Sequence, residues 1–139
     1  MKKGFTLIEL LIVISIIGTL TGLIINNLSD SRLRARDSTK KTELRELKTA
    51  LRLYYNDHQA YPANSDEIGL PGNSFNSNDG NTIYMKRLPA EFDYTATDNQ
   101  QSFILKVALE NPSDPDIAAS QKACPGNNYD ANDYVVCDD

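Results

Sequence analysis

Tryptophan is absent, histidine occurs once at position 58, and cysteine is confined to Cys124 and Cys137. With one histidine and no Cys-x-x-Cys pair, the ligand spacing of a zinc site is missing. No Ser-His-Asp or Cys-His arrangement is supported by spacing either, so the chain reads as a non-enzyme without a cofactor. Asn56-Asp57-His58 reads as the solvated end of a helix, and Tyr54, Tyr55 and Tyr61 as packing residues rather than a platform for nucleotides. Positive charge is also in deficit, with 14 Lys and Arg against 19 Asp and Glu. The deficit is uneven. From Asp30 to Ala60 eight basic residues face five acidic ones, whereas from Tyr61 to Asp139 four basic face thirteen acidic. An acidic outer domain argues against nucleic acid as a partner, because nonspecific phosphate attraction needs a basic surface.

Proline and glycine are missing from Ser29 to Asp57, so nothing in that stretch interrupts a helix. Leu33, Leu44, Leu47, Leu51 and Tyr54 or Tyr55 recur there at three- and four-residue spacing, one apolar stripe of an amphipathic helix. Pro62 ends it, since a residue before proline is pushed out of the helical region.

The chain begins with a short basic leader, Met1 to Gly4, followed by an apolar run from Phe5 to Ile25 whose only charge is Glu9. At ~1.5 Å per residue that run makes roughly 30 Å of helix, enough to cross a bilayer core. A carboxylate inside such a segment is expensive and therefore points to function. A cleavable secretory signal would have a shorter apolar core and then a small-x-small site. Here Leu20-Thr-Gly-Leu23 runs on into more apolar residues.

The pattern Lys3-Gly-Phe-Thr-Leu-Ile-Glu-Leu-Leu-Ile-Val13 resembles the class III signal of type IV pilins and of the pseudopilins of type II secretion. That resemblance implies cleavage by a prepilin peptidase between Gly4 and Phe5 and N-methylation of the new N-terminus at Phe5. Glu9 becomes the fifth residue of the mature chain and pairs with a neighbour's N-terminal amine. Two charges buried together in an apolar bundle are strongly favoured over either alone, so the pair sets the register of assembly. The implied partners are further copies of the chain in a helical filament, the peptidase, the pilus or secretion assembly machinery, and the membrane before assembly. The implied topology is single-pass in the cytoplasmic membrane with the N-terminus inside, followed by a surface filament or a periplasmic pseudopilus. The positive-inside rule opposes this topology, because Arg32, Arg34, Arg36, Lys40 and Lys41 follow the apolar run. The resemblance is taken to override it.

The expected architecture is α+β, with a long helix from about Phe5 to Asp57, about 80 Å in length, packed on a small antiparallel sheet. Residues 1–4 form the leader, 5–28 the membrane or filament-core helix, 29–60 its amphipathic continuation and 61–139 the globular head. Gly18 and Gly22 form a GxxxG spacing that permits close helix contact in a membrane. In the family the helix near such a glycine can unwind, and many members carry a proline shortly after it, where this chain has Asn26-Asn27.

Asn64 to Asn81 is rich in turn formers without periodicity and reads as a surface loop. Glu91–Ala96 and Ser102–Glu110 read as a hairpin, and Tyr134–Cys137 as a last strand. Outside the cytoplasm two cysteines usually pair, and bridging Cys124 to Cys137 would close a loop of 14 residues, a contribution of about 3 kcal/mol. Such a loop also resembles the one closing the C-terminal region of many pilins. Asp130, Asn132 and Asp133 are weak calcium candidates by ligand type, without EF-hand spacing. The acids of this region read better as a solvated surface, so no metal is expected. The favoured function is a structural subunit of a type IV pilus-like filament. The alternatives are a pseudopilin, or a minor or tip subunit acting in adhesion or DNA uptake.

Overall fold

The computed structural model describes residues 4–77, 79–124 and 128–138, with side chains at 23 and 25–27 outside the description. The leader residues 1–3 therefore lie outside the described residues, as do the side chains of the Asn26-Asn27 pair. The chain divides into two compact units, 1–35 and 36–139. One helix, α1 (Leu7–His58), contributes to both.

In the first unit α1 starts at Leu7, two residues later than the sequence predicts, because Thr6 caps it. Its apolar side chains have no inward face. Phe5 is 80% exposed, and Val13, among the most sheltered large ones, is still 45% exposed. Apolar surface of this kind on every side requires a cover of lipid or of other helices. Among the described residues no helix is long and apolar enough to cross a membrane. The fully described apolar run from Leu7 to Gly22 makes roughly 24 Å of helix, short of a hydrocarbon core of roughly 30 Å.

In the second unit the stripe on α1 is buried as its spacing predicts. Leu44, Leu47, Ala50, Leu51 and Tyr54 all enter the core. Leu33, in the first unit, is half-buried. The helix ends at His58, with Gln59 at φ 57° closing the last turn by donating its N–H to the Tyr55 carbonyl at 2.7 Å.

Strands β3 (Asp93–Thr97), β4 (Ser102–Ala108) and β5 (Asp133–Cys137) form an antiparallel sheet in the order β3-β4-β5. Tyr94 faces Leu105, and Leu105 faces Val136. Alternation along β4 buries Phe103, Leu105 and Val107, which together with Tyr94, Tyr134 and Val136 complete the core formed with the α1 stripe. The predicted hairpin and last strand are thus present, and the α+β class holds.

The segment from Asn64 to Asn81 departs from the expected surface loop. It contains α2 (Ser65–Ile68), capped by Asn64, and β1 (Phe75–Asn76), which pairs with β2 (Ile83–Met85). Ile68 and Phe75 are buried, Phe75 lying 5.4 Å from the Tyr54 ring and 5.2 Å from that of Tyr84. Isolated apolar residues among turn formers leave no period to read, so only the aromatic cluster reveals them. A second departure is α3 (Pro115–Ala123), which packs on β5 within the stretch expected as a solvated acidic surface. Asp114 caps it, accepting from the Asp116 N–H at 2.9 Å, with Pro115 at the first helical position. Because α3 covers β5, even Val135, which points away from the α1 side, is buried.

Candidate assembly site

Gly4 and Phe5 are exposed and lie outside any helix. Immediately after them Thr6 and Glu9 bind each other in both directions. Glu9 Oε2 accepts from the Thr6 backbone N–H at 2.9 Å and from Thr6 Oγ1 at 2.6 Å, while the Glu9 N–H donates to Thr6 Oγ1 at 3.3 Å. This is a capping box, which satisfies N–H groups that the start of a helix leaves without partners. Its Thr-x-x-Glu signature stands openly at positions 6–9, so sequence reasoning that weighed Glu9 only as an intramembrane charge missed a second use for it. The carboxylate is therefore held at the positive end of the α1 dipole.

Gly18 and Gly22 make no close approach to another segment among the described residues. Among the described residues a Cβ at either would meet no atom within 4 Å beyond the helix's own backbone, and α1 is helical through both. The nearby hydroxyls are satisfied inside the helix, Thr19 donating to the Ile16 carbonyl at 2.9 Å and Thr21 to that of Ile17 at 2.7 Å. Threonine can in this way sit in an apolar helix without exposing an unpaired polar group.

In the second unit a row of polar ties fixes α1 to the head. Asp37 is fully buried, its two carboxylate oxygens accepting from the backbone N–H groups of Glu110 and Asn111. Arg36 pairs with Glu110 at 2.7 Å and Lys40 with Glu91 at 3.0 Å, while Lys41 bridges Asp114 and Asp116 at 2.9 and 2.7 Å. Arg45 donates to Tyr134 Oη, Arg52 pairs with Asp138 at 3.4 Å, and Tyr61 Oη donates to Asp138 at 2.8 Å. Desolvation alone would lower the Lys41 pKa, but the hydrogen bonds to Asp116 and Asp114 and their negative charges together outweigh it and raise it. Spacing on α1 identifies these residues only as a polar face; the acids they meet lie more than fifty residues away.

Cys124 and Cys137 form a disulfide with a Cα–Cα distance of 5.8 Å, joining the end of α3 to the end of β5. Of the calcium candidates, Asp133 is engaged through its carboxylate and Asp130 and Asn132 through backbone groups. Asp133 Oδ2 accepts from Lys106 Nζ at 3.3 Å and from the Asp130 N–H at 3.1 Å. The Asn132 carbonyl accepts from the Leu109 N–H at 2.9 Å. Among the described residues no group of three or more His, Cys, Asp or Glu is placed to hold a metal ion.

The prokaryotic N-terminal methylation motif matches residues 1–25. The type IV major pilin protein PilA of Myxococcus xanthus is 40% identical over 69 residues, which cover 50% of this chain and 31% of that protein. Type II secretion system core protein G of Escherichia coli is 33% identical over 97 residues, 65% of this chain and 66% of the relative. The same protein of Pseudomonas aeruginosa is 31% identical over 97 residues, 65% of this chain and 67% of the relative. The chain thus spans about a third of the Myxococcus protein and about two thirds of the other two. No solved structure matches it. With the methylation motif at its start, an apolar helix exposed on every side and relatives of both kinds, this chain belongs to the family of type IV pilins and type II secretion pseudopilins.

Proposed function

We propose that the chain is a principal subunit of a type IV pilus-like filament, made as a membrane-anchored precursor and polymerised through the first unit of α1. The observation that carries this reading is Glu9, a carboxylate seated at the start of α1, whose described apolar side chains up to Leu28 are all exposed. Cleavage between Gly4 and Phe5 creates an amine on Phe5, and methylation keeps it cationic. Glu9 of one copy then pairs with the Phe5 amine of the next, and the apolar surface that was covered by lipid becomes covered by neighbouring helices. Before assembly the segment 5–28 spans the cytoplasmic membrane with the N-terminus inside; the residues at 23–25 that extend the described apolar run are Leu, Ile and Ile.

A second reading, a pseudopilin of a periplasmic filament, is favoured by the length of the matches, 97 residues to core protein G against 69 to the Myxococcus pilin. Mass spectrometry of the N-terminal peptide from filaments sheared off the native cells separates the two. A peptide beginning at methylated Phe5, as a major component, is the expected result. Phe5-terminated protein confined to the membrane fraction would favour the pseudopilin or a minor subunit. Met1 retained in every fraction would overturn processing and the role of Glu9 together.

A further inference from the structure

Two cations of α1 stand apart from the rest, which, Lys48 included, have partners. Within residues 36–139, Arg36, Lys40, Lys41 and Arg52 each meet a carboxylate, and Arg45 donates to a tyrosine hydroxyl. Arg32 and Arg34, in the other unit, are exposed, and among the described residues neither side chain has a hydrogen-bond or ion-pair partner. Asp30, also exposed, lies one turn before Arg34 on the same face, while Arg32 lies about 200° around the helix from Arg34, so this turn of α1 presents two guanidinium groups and one carboxylate around its circumference.

We propose that Arg32 and Arg34 are a docking surface for anionic phospholipid headgroups, holding the subunit in the leaflet through which the chain leaves the membrane. The inference rests on the membrane-anchored precursor proposed above. The helix sets the position: at ~1.5 Å per residue Arg32 lies roughly 40 Å along α1 from Phe5, which matches a bilayer of roughly 40–45 Å including its headgroups. Phe5 at one interface therefore brings Arg32 and Arg34 to the other. The chemistry fits, since guanidinium binds phosphate bidentately and its long apolar stem lets the charge reach the headgroup layer. Two arginines on this flank oppose the positive-inside rule, and a lipid-binding role accounts for their presence there. On entry into a filament the contact is given up, so the two arginines set how readily the subunit leaves the bilayer.

The test uses the full chain in vesicles of phosphatidylcholine with and without phosphatidylglycerol, with lipid selectivity read from spin-labelled lipids of each kind. The wild type is expected to prefer phosphatidylglycerol, and the preference to fall roughly fivefold for each arginine removed. It should vanish in Arg32→Gln/Arg34→Gln and at high salt. It should persist in Lys86→Gln/Arg87→Gln, which removes the same charge from the head. Equal preference in wild type and the double arginine variant would overturn the proposal. So would a wild type without preference whose arginine variant fails only in filament formation, which would assign the arginines to an acidic surface of a neighbouring copy. Carbonate extraction separates the underlying readings: protein that washes off the vesicles overturns the membrane precursor itself, whereas inserted protein without lipid preference removes the docking surface alone.

Discussion

Asp37 Oδ1 accepts a hydrogen bond from the backbone N–H of Glu110 at 2.8 Å, a tie between the middle of α1 and the chain just beyond β4. Its other oxygen takes the Asn111 N–H at 2.9 Å, and the side chain is fully buried. Asp37→Ala leaves two sheltered N–H groups without partners, at a cost of about 2–4 kcal/mol. Asp37→Asn, which retains one acceptor, should lose about half as much. Urea unfolding of the full chain in detergent, followed by tyrosine circular dichroism, measures both; a loss below about 1 kcal/mol for the alanine variant would mean that water replaces the carboxylate.

The Cys124–Cys137 bridge joins the end of α3 to the last strand. Replacing both cysteines by serine should lower stability by about 2–4 kcal/mol, a fall in Tm of roughly 10 °C or more for a domain of this size. Dithiothreitol should reproduce the effect in the wild type and leave the variant unchanged. An unaltered Tm on reduction would show that packing of α3 on β5 suffices by itself.

Stability should fall on the alkaline side. Tyr84 is pushed up to about 12 by burial, reinforced by the hydrogen bond it donates to Asp57. Burial raises Tyr94, and burial with the bond to Asp138 raises Tyr61. The fold favours the neutral phenol at each, so this stability is complete below the unfolded tyrosine value of about 10 and is lost as pH climbs through the folded values. Lys106, raised first by its hydrogen bond to Asp133, and Lys41 act in the same direction, their charged forms being the ones the fold favours. Urea midpoints should be flat up to about pH 10 and then decline, with Tyr84→Phe blunting the decline between about pH 10 and 12. A decline already complete below about pH 9 would assign the effect to other groups.

Glu9 serves two purposes that substitutions can separate. Glu9→Ala should still be cleaved after Gly4 but form no filaments. Glu9→Gln keeps an acceptor for Thr6 and loses the charge, so it should be nearly as defective as the alanine variant. Thr6→Ala leaves the charge but removes the hydroxyl that holds it, and should reduce filament yield without abolishing it. Electron microscopy of sheared material reads all three, and normal filaments from Glu9→Gln would leave capping as the sole use of the carboxylate.

Much of the fold is legible in residue spacing. Leu44, Leu47, Leu51 and Tyr54 form a stripe because a helix repeats every 3.6 residues, and Phe103, Leu105 and Val107 alternate because a strand repeats every two. Ile68 and Phe75 were not legible, since isolated apolar residues in a turn-rich segment have no period. The start of α3 was legible in Asp114-Pro115, an N-cap followed by a first-turn proline, but the surrounding acids suggested a solvated surface. The Thr6–Glu9 capping box was legible too, and was hidden by the stronger signal of a charge in an apolar run.

The sequence by itself determined the parts set by local chemistry: the long helix with its apolar first half and buried stripe, and the strands of the hairpin. Tertiary structure alone decided which charges answer one another. Arg36 with Glu110, Lys41 with Asp114 and Asp116, and Arg52 with Asp138 are each separated by more than seventy residues. Only the packing of α1 against the sheet and α3 brings them within reach. An ion pair depends on distance in space, which no periodicity along the chain records, and for that reason Arg32 and Arg34 stand apart from the other cations of α1 only once the fold is known.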